Sequence, residues 1–240
     1  QGDSSARFPE FVCQALADAG QPLCPGDMMA SNPEWRMPVG AWDATFRRWV
    51  QAPQPDALLH AQVFFDLRVV AGSAELATGV HRGAVAAGQA SRRTHAHLAS
   101  LTARREPPLT FFKGFVVDRS GDYAHTLDVK KGGLAAVVQM ARLYALVTGS
   151  TAVDTRSRLA DAAGQSVSQQ GAADLRDAFD YLTSITLEHQ AGQHARGEQP
   201  DYHLSPKELS RNQREHLRDA FQIIKGQQNA LATRYPVRNI

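Results

Sequence analysis

Leu127-Asp128-Val129-Lys130-Lys131-Gly132-Gly133-Leu134 runs into Ala135-Ala136-Val137-Val138-Gln139-Met140-Ala141-Arg142-Leu143-Tyr144-Ala145-Leu146-Val147, and this stretch decides the fold. Its second half is apolar on every side, with Gln139, Arg142 and the tip of Tyr144 as polar breaks. A helix of that kind is buried. In the first half, Leu127 and Val129 alternate with charged neighbours, which predicts a short strand over 127–131 with Asp128 and Lys130 on its other face. Gly132-Gly133 permits a sharp turn and the close approach of another backbone or a ligand. A charged pair therefore stands at the mouth of a central buried helix.

Outward from this helix, most segments carry helical periodicity. Phe8–Ala19 places Phe8, Phe11, Val12, Ala15 and Leu16 on one face. Val39–Val50 is anchored by Trp42, Phe46 and Trp49 and stopped by Pro53 and Pro55. A helix is expected over Asp56–Val70, a further one capped by Ser73 and running to about Ala87, and another over Ala90–Ala103. Leu109–Val117 is apolar and aromatic, and its periodicity does not separate strand from helix. Asp154 or Thr155 caps a short helix through Ala163. Leu175, Ala178, Phe179, Leu182 and Ile185 define a long one ending near His194. Ser205-Pro206-Lys207-Glu208 reads as the start of the last, with serine at the cap, proline at the first helical position and glutamate three residues on. The expected fold is mainly α, a bundle of about eight helices with at most a small β-hairpin.

The 240 residues are 43% hydrophobic, enough for a real core, and the net charge of +2 is spread over interspersed charges. A dedicated nucleic-acid binder shows a strong basic excess on one face, so that class is disfavoured; Arg92, Arg93, Arg104 and Arg105 remain as the feature an RNA-binding helical domain would use. No apolar run reaches a membrane span, and the N-terminus has no signal segment. Cys13 and Cys24 are too few for a disulfide framework and read as small buried apolar residues. These features are read as those of a cytoplasmic protein. The chain begins at Gln1 without methionine, which reads as a piece of something longer.

The chemical motifs are weighed against plainer accounts. His95-x-His97 and His189 with His194 lack the three- or four-residue spacing and the Cys or carboxylate company of a metal site, so surface histidines are expected. There is no Gly-x-Ser-x-Gly, no Walker loop, no dinucleotide fingerprint and no Asp-x-Asp for a pair of Mg²⁺ ions. Asp66 and Arg68 are charges set in an apolar segment, either a salt bridge between helices or a grip on a ligand or neighbouring domain. Asp128 and Lys130 have the same two readings, with the glycine pair favouring access. Arg156 and Arg158 read as a solvated face. Asn32-Pro33-Glu34-Trp35-Arg36 is a compact loop, either a plain turn packed by its tryptophan or one that orders a domain boundary.

Met28-Met29-Ala30-Ser31-Asn32-Pro33-Glu34-Trp35-Arg36, Phe64-Phe65-Asp66-Leu67-Arg68, the Leu127–Leu134 segment, Ala141-Arg142-Leu143-Tyr144-Ala145-Leu146 and the Leu209–Arg234 helix together resemble a known family. It comprises bacterial nucleotidyltransferases found beside CBS and cyclic-nucleotide-binding domains and related to protein-PII uridylyltransferase. The resemblance runs from about Phe8 to Tyr235. It implies a catalytic domain holding Gly-Ser and paired aspartates, followed by a helical substrate-binding domain. The catalytic signature is not in this chain. Gly72-Ser73 and Gly149-Ser150 lie in the helical part without paired aspartates. Residues 1–25 are then expected to be the tail of the catalytic domain and 26–240 the substrate-binding domain. Asp66, Arg68, Asp128 and Lys130 fall on the family's motif positions and become candidate substrate or nucleotide contacts. Asn32, Trp35, Arg36, Gly132 and Gly133 become candidate domain-junction residues. Mg²⁺ and NTP are expected only in the full-length protein. The implied partners are upstream nucleotidyltransferase and CBS or cyclic-nucleotide-binding domains and a protein acceptor, with no nucleic acid and no membrane. The competing class is a non-catalytic helical scaffold that couples signalling domains.

Overall fold

The computed structural model describes residues 4–51, 62–110 and 114–235. They divide into two compact units, Gln1–Phe46 and Arg47–Ile240. The first holds α1 (Ser4–Asp18), a 3-10 turn (Pro33–Trp35) and the start of α2 (Val39–Gln51), so the boundary falls inside α2. Asn32 caps the turn. Its side chain accepts from the Glu34 amide at 2.9 Å and donates to the Asp27 carbonyl at 3.2 Å. The Trp35 indole donates to that same carbonyl at 2.9 Å, and the Arg36 guanidinium donates to the Ala30 and Ser31 carbonyls. Pro33 supplies the fixed φ of a first helical position. The Asn-Pro-x-Trp-Arg loop is therefore tied to itself, and Trp35 stacks on Trp42 with centroids 6.4 Å apart. Phe8, Phe11 and Leu16, the expected apolar face of α1, are exposed. Cys13 is half-buried and Cys24 exposed, where buried thiols were expected; Cys24 sits in a surface loop.

The second unit is mainly α, as its periodicities require. It contains α3 (Ala74–Ala90), α4 (Arg92–Ala103), α5 (Ala135–Thr148), α6 (Thr155–Ala162), α7 (Gln169–Ala195) and α8 (Arg211–Arg234). Helix α5 is the centre: Ala136, Val137, Met140, Ala141, Leu143, Tyr144, Ala145 and Leu146 are buried, and it packs against α3, α4, α6 and α8. Gly149 ends it at φ 80°, a left-handed conformation that costs glycine nothing. Ser91 closes α3 and caps α4, its hydroxyl accepting from the Thr94 amide. Two strands, β1 (Leu127–Asp128) and β2 (His203–Leu204), pair antiparallel with Leu127 opposite Leu204 and Asp128 opposite His203. Leu109 and Phe115 form an isolated antiparallel bridge; residues 111–113 between them lie outside the described residues.

Four expectations are corrected. The 127–131 strand stops at Asp128, because the Asp128 carboxylate accepts from the Lys130 and Lys131 amides, each at 2.9 Å, and turns the chain into helix. Lys130–Leu134 is then a wide π turn, with Leu134 N–H donating to Val129 O at 3.0 Å. The expected Asp56–Val70 helix falls partly outside the described residues; residues 62–64 are helical, and the chain then turns, with the Asp66 amide on the Val63 carbonyl. The last helix starts at Arg211 and not at Ser205. Ser205–Glu208 closes only a turn, Leu209 is buried, and Ser210 with Gln213 forms the capping box. Histidines expected on the surface are in part interior. His95 is buried against the Gly88 carbonyl at 2.9 Å, and burial, helped by the Arg234 charge, holds its pKa below the usual histidine value although that carbonyl works the other way.

Candidate functional site

One of the sequence-selected charges, Asp66, is held in a cluster by residues given plainer roles. Asp66, in the turn after residues 62–64, accepts from Arg142 Nε at 3.0 Å and from Arg142 Nη2, and meets Arg158 Nη1 at 2.7 Å. Arg142 comes from the middle of α5 and Arg158 from α6. Their side chains are 12% and 4% exposed, that of Asp66 36%. Arg158 is the opposite of the solvated residue expected. Its other nitrogens donate to the Ala152 and Phe65 carbonyls, both at 2.8 Å, and burial pulls its pKa down while Asp66 pushes it back. Arg156 is exposed and pairs with Asp180. One carboxylate thus serves two arginines directly, and Asp154 adds a second negative charge near Arg158. Arg142 was visible as the lone cation in an apolar helix; Arg158 gave no such signal, because its burial depends on α6 docking. Arg68, two residues on, is exposed and lines a separate cleft with Arg82 and His81.

Asp128 lies elsewhere. Arg142 stands eight residues into the helix from Leu134, about 12 Å along its axis, so the Asp66 cluster and the Asp128 turn are two places. The Lys130 ammonium sits over the Tyr202 ring, 4.5 Å from its centroid. The glycine pair was expected to give access, and close packing is what it provides. A Cβ on Gly132 would stand 2.6 Å from the Glu106 carbonyl oxygen and 3.0 Å from Pro108 Cδ; one on Gly133 would stand 3.1 Å from Leu182 and 3.2 Å from Phe221. Both glycines are buried.

Beside this turn opens a cleft of about 470 Å³. Arg104, Arg105 and Lys131 line it with Glu106, Asp118 and Asp128, over Pro107, Pro108, Leu127, Gly132 and His203. Three cationic and three acidic residues can pair a phosphate on one side and a hydroxyl or amine on the other. Its size lies within the range of small-molecule sites. In the sequence Arg104 and Arg105 stand out only as part of an RNA-type basic patch; Pro107-Pro108, which turns the chain back onto Gly132, is the available signal. His203 joins through the pairing of β1 with β2, which sequence does not display. Its ring stacks on Tyr123 at 3.5 Å, and its buried Nδ1 has no hydrogen-bond partner.

An adjoining cleft shares Thr126 and His203 and adds His189, Gln193, Arg196, Glu198, Ser205 and Glu208. There Asp201 Oδ1 meets His189 Nε2 at 3.0 Å and accepts from the His203 amide at 2.9 Å. Burial alone would raise the Asp201 carboxyl pKa, but these bonds hold it below the usual value. Among the described residues no three His, Cys, Asp or Glu side chains converge as a metal site, and no helix is long and apolar enough to cross a membrane.

Comparison with known families gives two matches. A model described as "Putative nucleotidyltransferase substrate binding domain" matches residues 92–235, and one described as "Putative nucleotidyltransferase DUF294" matches residues 1–56. No curated protein and no solved structure matches the chain.

Proposed function

The chain belongs to the nucleotidyltransferase substrate-binding-domain family, and on that premise we propose that its helical unit holds the substrate of nucleotidyl transfer in the cleft at the Asp128 turn. The observation that carries the reading is the cleft itself: Asp128, a candidate contact from the resemblance, shares it with Gly132, Arg104, Arg105 and Lys131. Arginines offset phosphate charge with directed pairs of N–H groups, and Asp128 or Asp118 orients a hydroxyl of the nucleotide or acceptor. Arg68 offsets phosphate charge at its own cleft, Lys130 braces the turn on Tyr202, and Asp66 fixes the 65–68 turn against α5 and α6.

In this reading residues 1–25 close a catalytic domain whose paired aspartates precede them, residues 26–240 form the substrate-binding part, and the self-tied Asn32-Trp35-Arg36 loop orders the chain that follows residue 25. Mg²⁺ held by those aspartates supplies the charge neutralisation that phosphoryl chemistry needs. The described residues of this chain offer no such ligand set, so no step is assigned to them. The transferase is cytoplasmic and bacterial, related to protein-PII uridylyltransferase. CBS or cyclic-nucleotide-binding domains share its polypeptide, and its acceptor is a regulatory protein.

Titration calorimetry with UTP, ATP and Mg²⁺ tests the cleft. Asp128→Asn keeps an oxygen to cap the turn but loses the charge. Loss of binding in Asp128→Asn and Lys131→Ala, with the circular dichroism spectrum and Tm unchanged, is the expected result. Absence of nucleotide binding in the wild type, with both variants merely less stable, would leave the helical scaffold.

A further inference from the structure

The cleft that holds Arg68 has a chemistry of its own. One wall is a stripe of α3, Ala74, Ala77, Thr78, His81 and Arg82, spaced at three and four residues so that all share one face. Leu67, Arg68 and Val69 form the opposite wall, with Thr151 and Val153 completing the lining. No carboxylate lines it. Neither Arg68 nor Arg82 makes an ion pair or a side-chain hydrogen bond among the described residues.

The wall that carries Arg68 is fixed. The Phe65 carbonyl receives both His81 Nε2 at 3.0 Å and Arg158 Nη2 at 2.8 Å, and the next residue, Asp66, is clamped by Arg142 and Arg158. The His81 bond links the two walls directly, and His81 is buried. Arg68 thus follows an anchored turn and lines the cleft together with Arg82 of α3. Two arginines without acidic partners and two hydroxyls at Thr78 and Thr151, in a lining without a carboxylate, make the cleft a place for an anion with several acceptor oxygens. Its volume of about 240 Å³ is below the roughly 300–1,000 Å³ of sites that enclose a drug-sized ligand. It is large enough to seat one phosphoryl group.

We infer that Arg68 and Arg82 bind a phosphate dianion between α3 and the 67–69 segment, supplied either as inorganic phosphate or as the terminal phosphate of a larger molecule. This deepens the proposed function, on which Arg68 meets phosphate charge. The site is separate from the Asp128 cleft.

The test is amide NMR and calorimetry on the full chain, titrated with inorganic phosphate and, in a second arm, with a nucleoside triphosphate. Phosphate is expected to shift resonances of residues 67–69, Thr78 and Arg82. Arg68→Ala and Arg82→Ala should each weaken binding about tenfold or more, as for a hydrogen bond to a charged group, and Arg68→Lys should restore part of it. Arg211→Ala, which removes an exposed arginine lining neither cleft, should leave phosphate binding unchanged. If the triphosphate also needs Arg68, the phosphate comes from a larger molecule; if only inorganic phosphate does, the site takes the free ion. Phosphate binding that is absent, or equal in wild type and Arg68→Ala/Arg82→Ala, overturns the inference. Failure of the triphosphate to depend on Asp128 bears on the Asp128 cleft and leaves this result standing.

Discussion

At the scale of single residues, Gly132 is the most constrained position of the turn. A methyl group there meets backbone at Glu106 and Pro107, which cannot swing aside as a side chain does. Gly132→Ala should cost about 1–3 kcal/mol, as overpacking does, read as a lower urea midpoint at constant m; an unchanged midpoint would refute the close approach. Asp66 and Asp128, so similar in sequence, should respond to the same substitution with losses of different size. Asp66→Asn strands two buried arginines and should cost about 2–4 kcal/mol, below the full figure for a buried pair because Asp66 is 36% exposed. Asp128→Asn preserves the cap and should cost under about 0.5 kcal/mol. Equal losses in the two variants would remove the distinction between clamp and cap. The sequence made both aspartates visible as charges in apolar surroundings. It could not say which one ends in an ion pair, because Arg142 and Arg158 lie 76 and 92 positions further along the chain.

Among the elements, α8 separates two start signals of comparable local strength. Ser210→Ala removes the capping box and should cost about 1 kcal/mol, whereas Ser205→Ala should be within about 0.5 kcal/mol of wild type; urea unfolding of the pair decides which serine caps the helix. The choice is tertiary. Leu209 is buried and Leu204 pairs with Leu127, so residues 203–209 are held to the core in a conformation that helix would break. The α3–α4 junction carries a pH dependence. His95, buried beside Ser91, has a folded pKa below its ordinary 6.5. The unfolded chain therefore takes up the proton first, and stability should be intact above about pH 6.5 and fall as pH drops below it. Thermal melts from pH 7.5 to 5 should show that fall, and His95→Gln should flatten it; an unchanged slope would show that His95 is not its source.

For the whole molecule, the division at Phe46 and Arg47 has a direct consequence. The second unit contains the α5-centred core, so a fragment of residues 39–240, which keeps α2 entire, should unfold in one cooperative transition by circular dichroism. A broad, non-cooperative melt would show that the core is incomplete without residues 1–38. What the sequence determined by itself was the helical character and the central place of α5. Both follow from local periodicity and from an apolar surface too complete to face water. It also carried the family, through short motifs that survive as strings of residues. Tertiary structure alone decided that Gly132 and Gly133 serve packing, that Arg158 is buried, and that Arg104, Arg105 and His203 gather beside Asp128. These depend on which surfaces meet across tens of residues. An isolated arginine or glycine has the same local chemistry whether it faces solvent, a carboxylate or another backbone, and only the docking of helices chooses among the three.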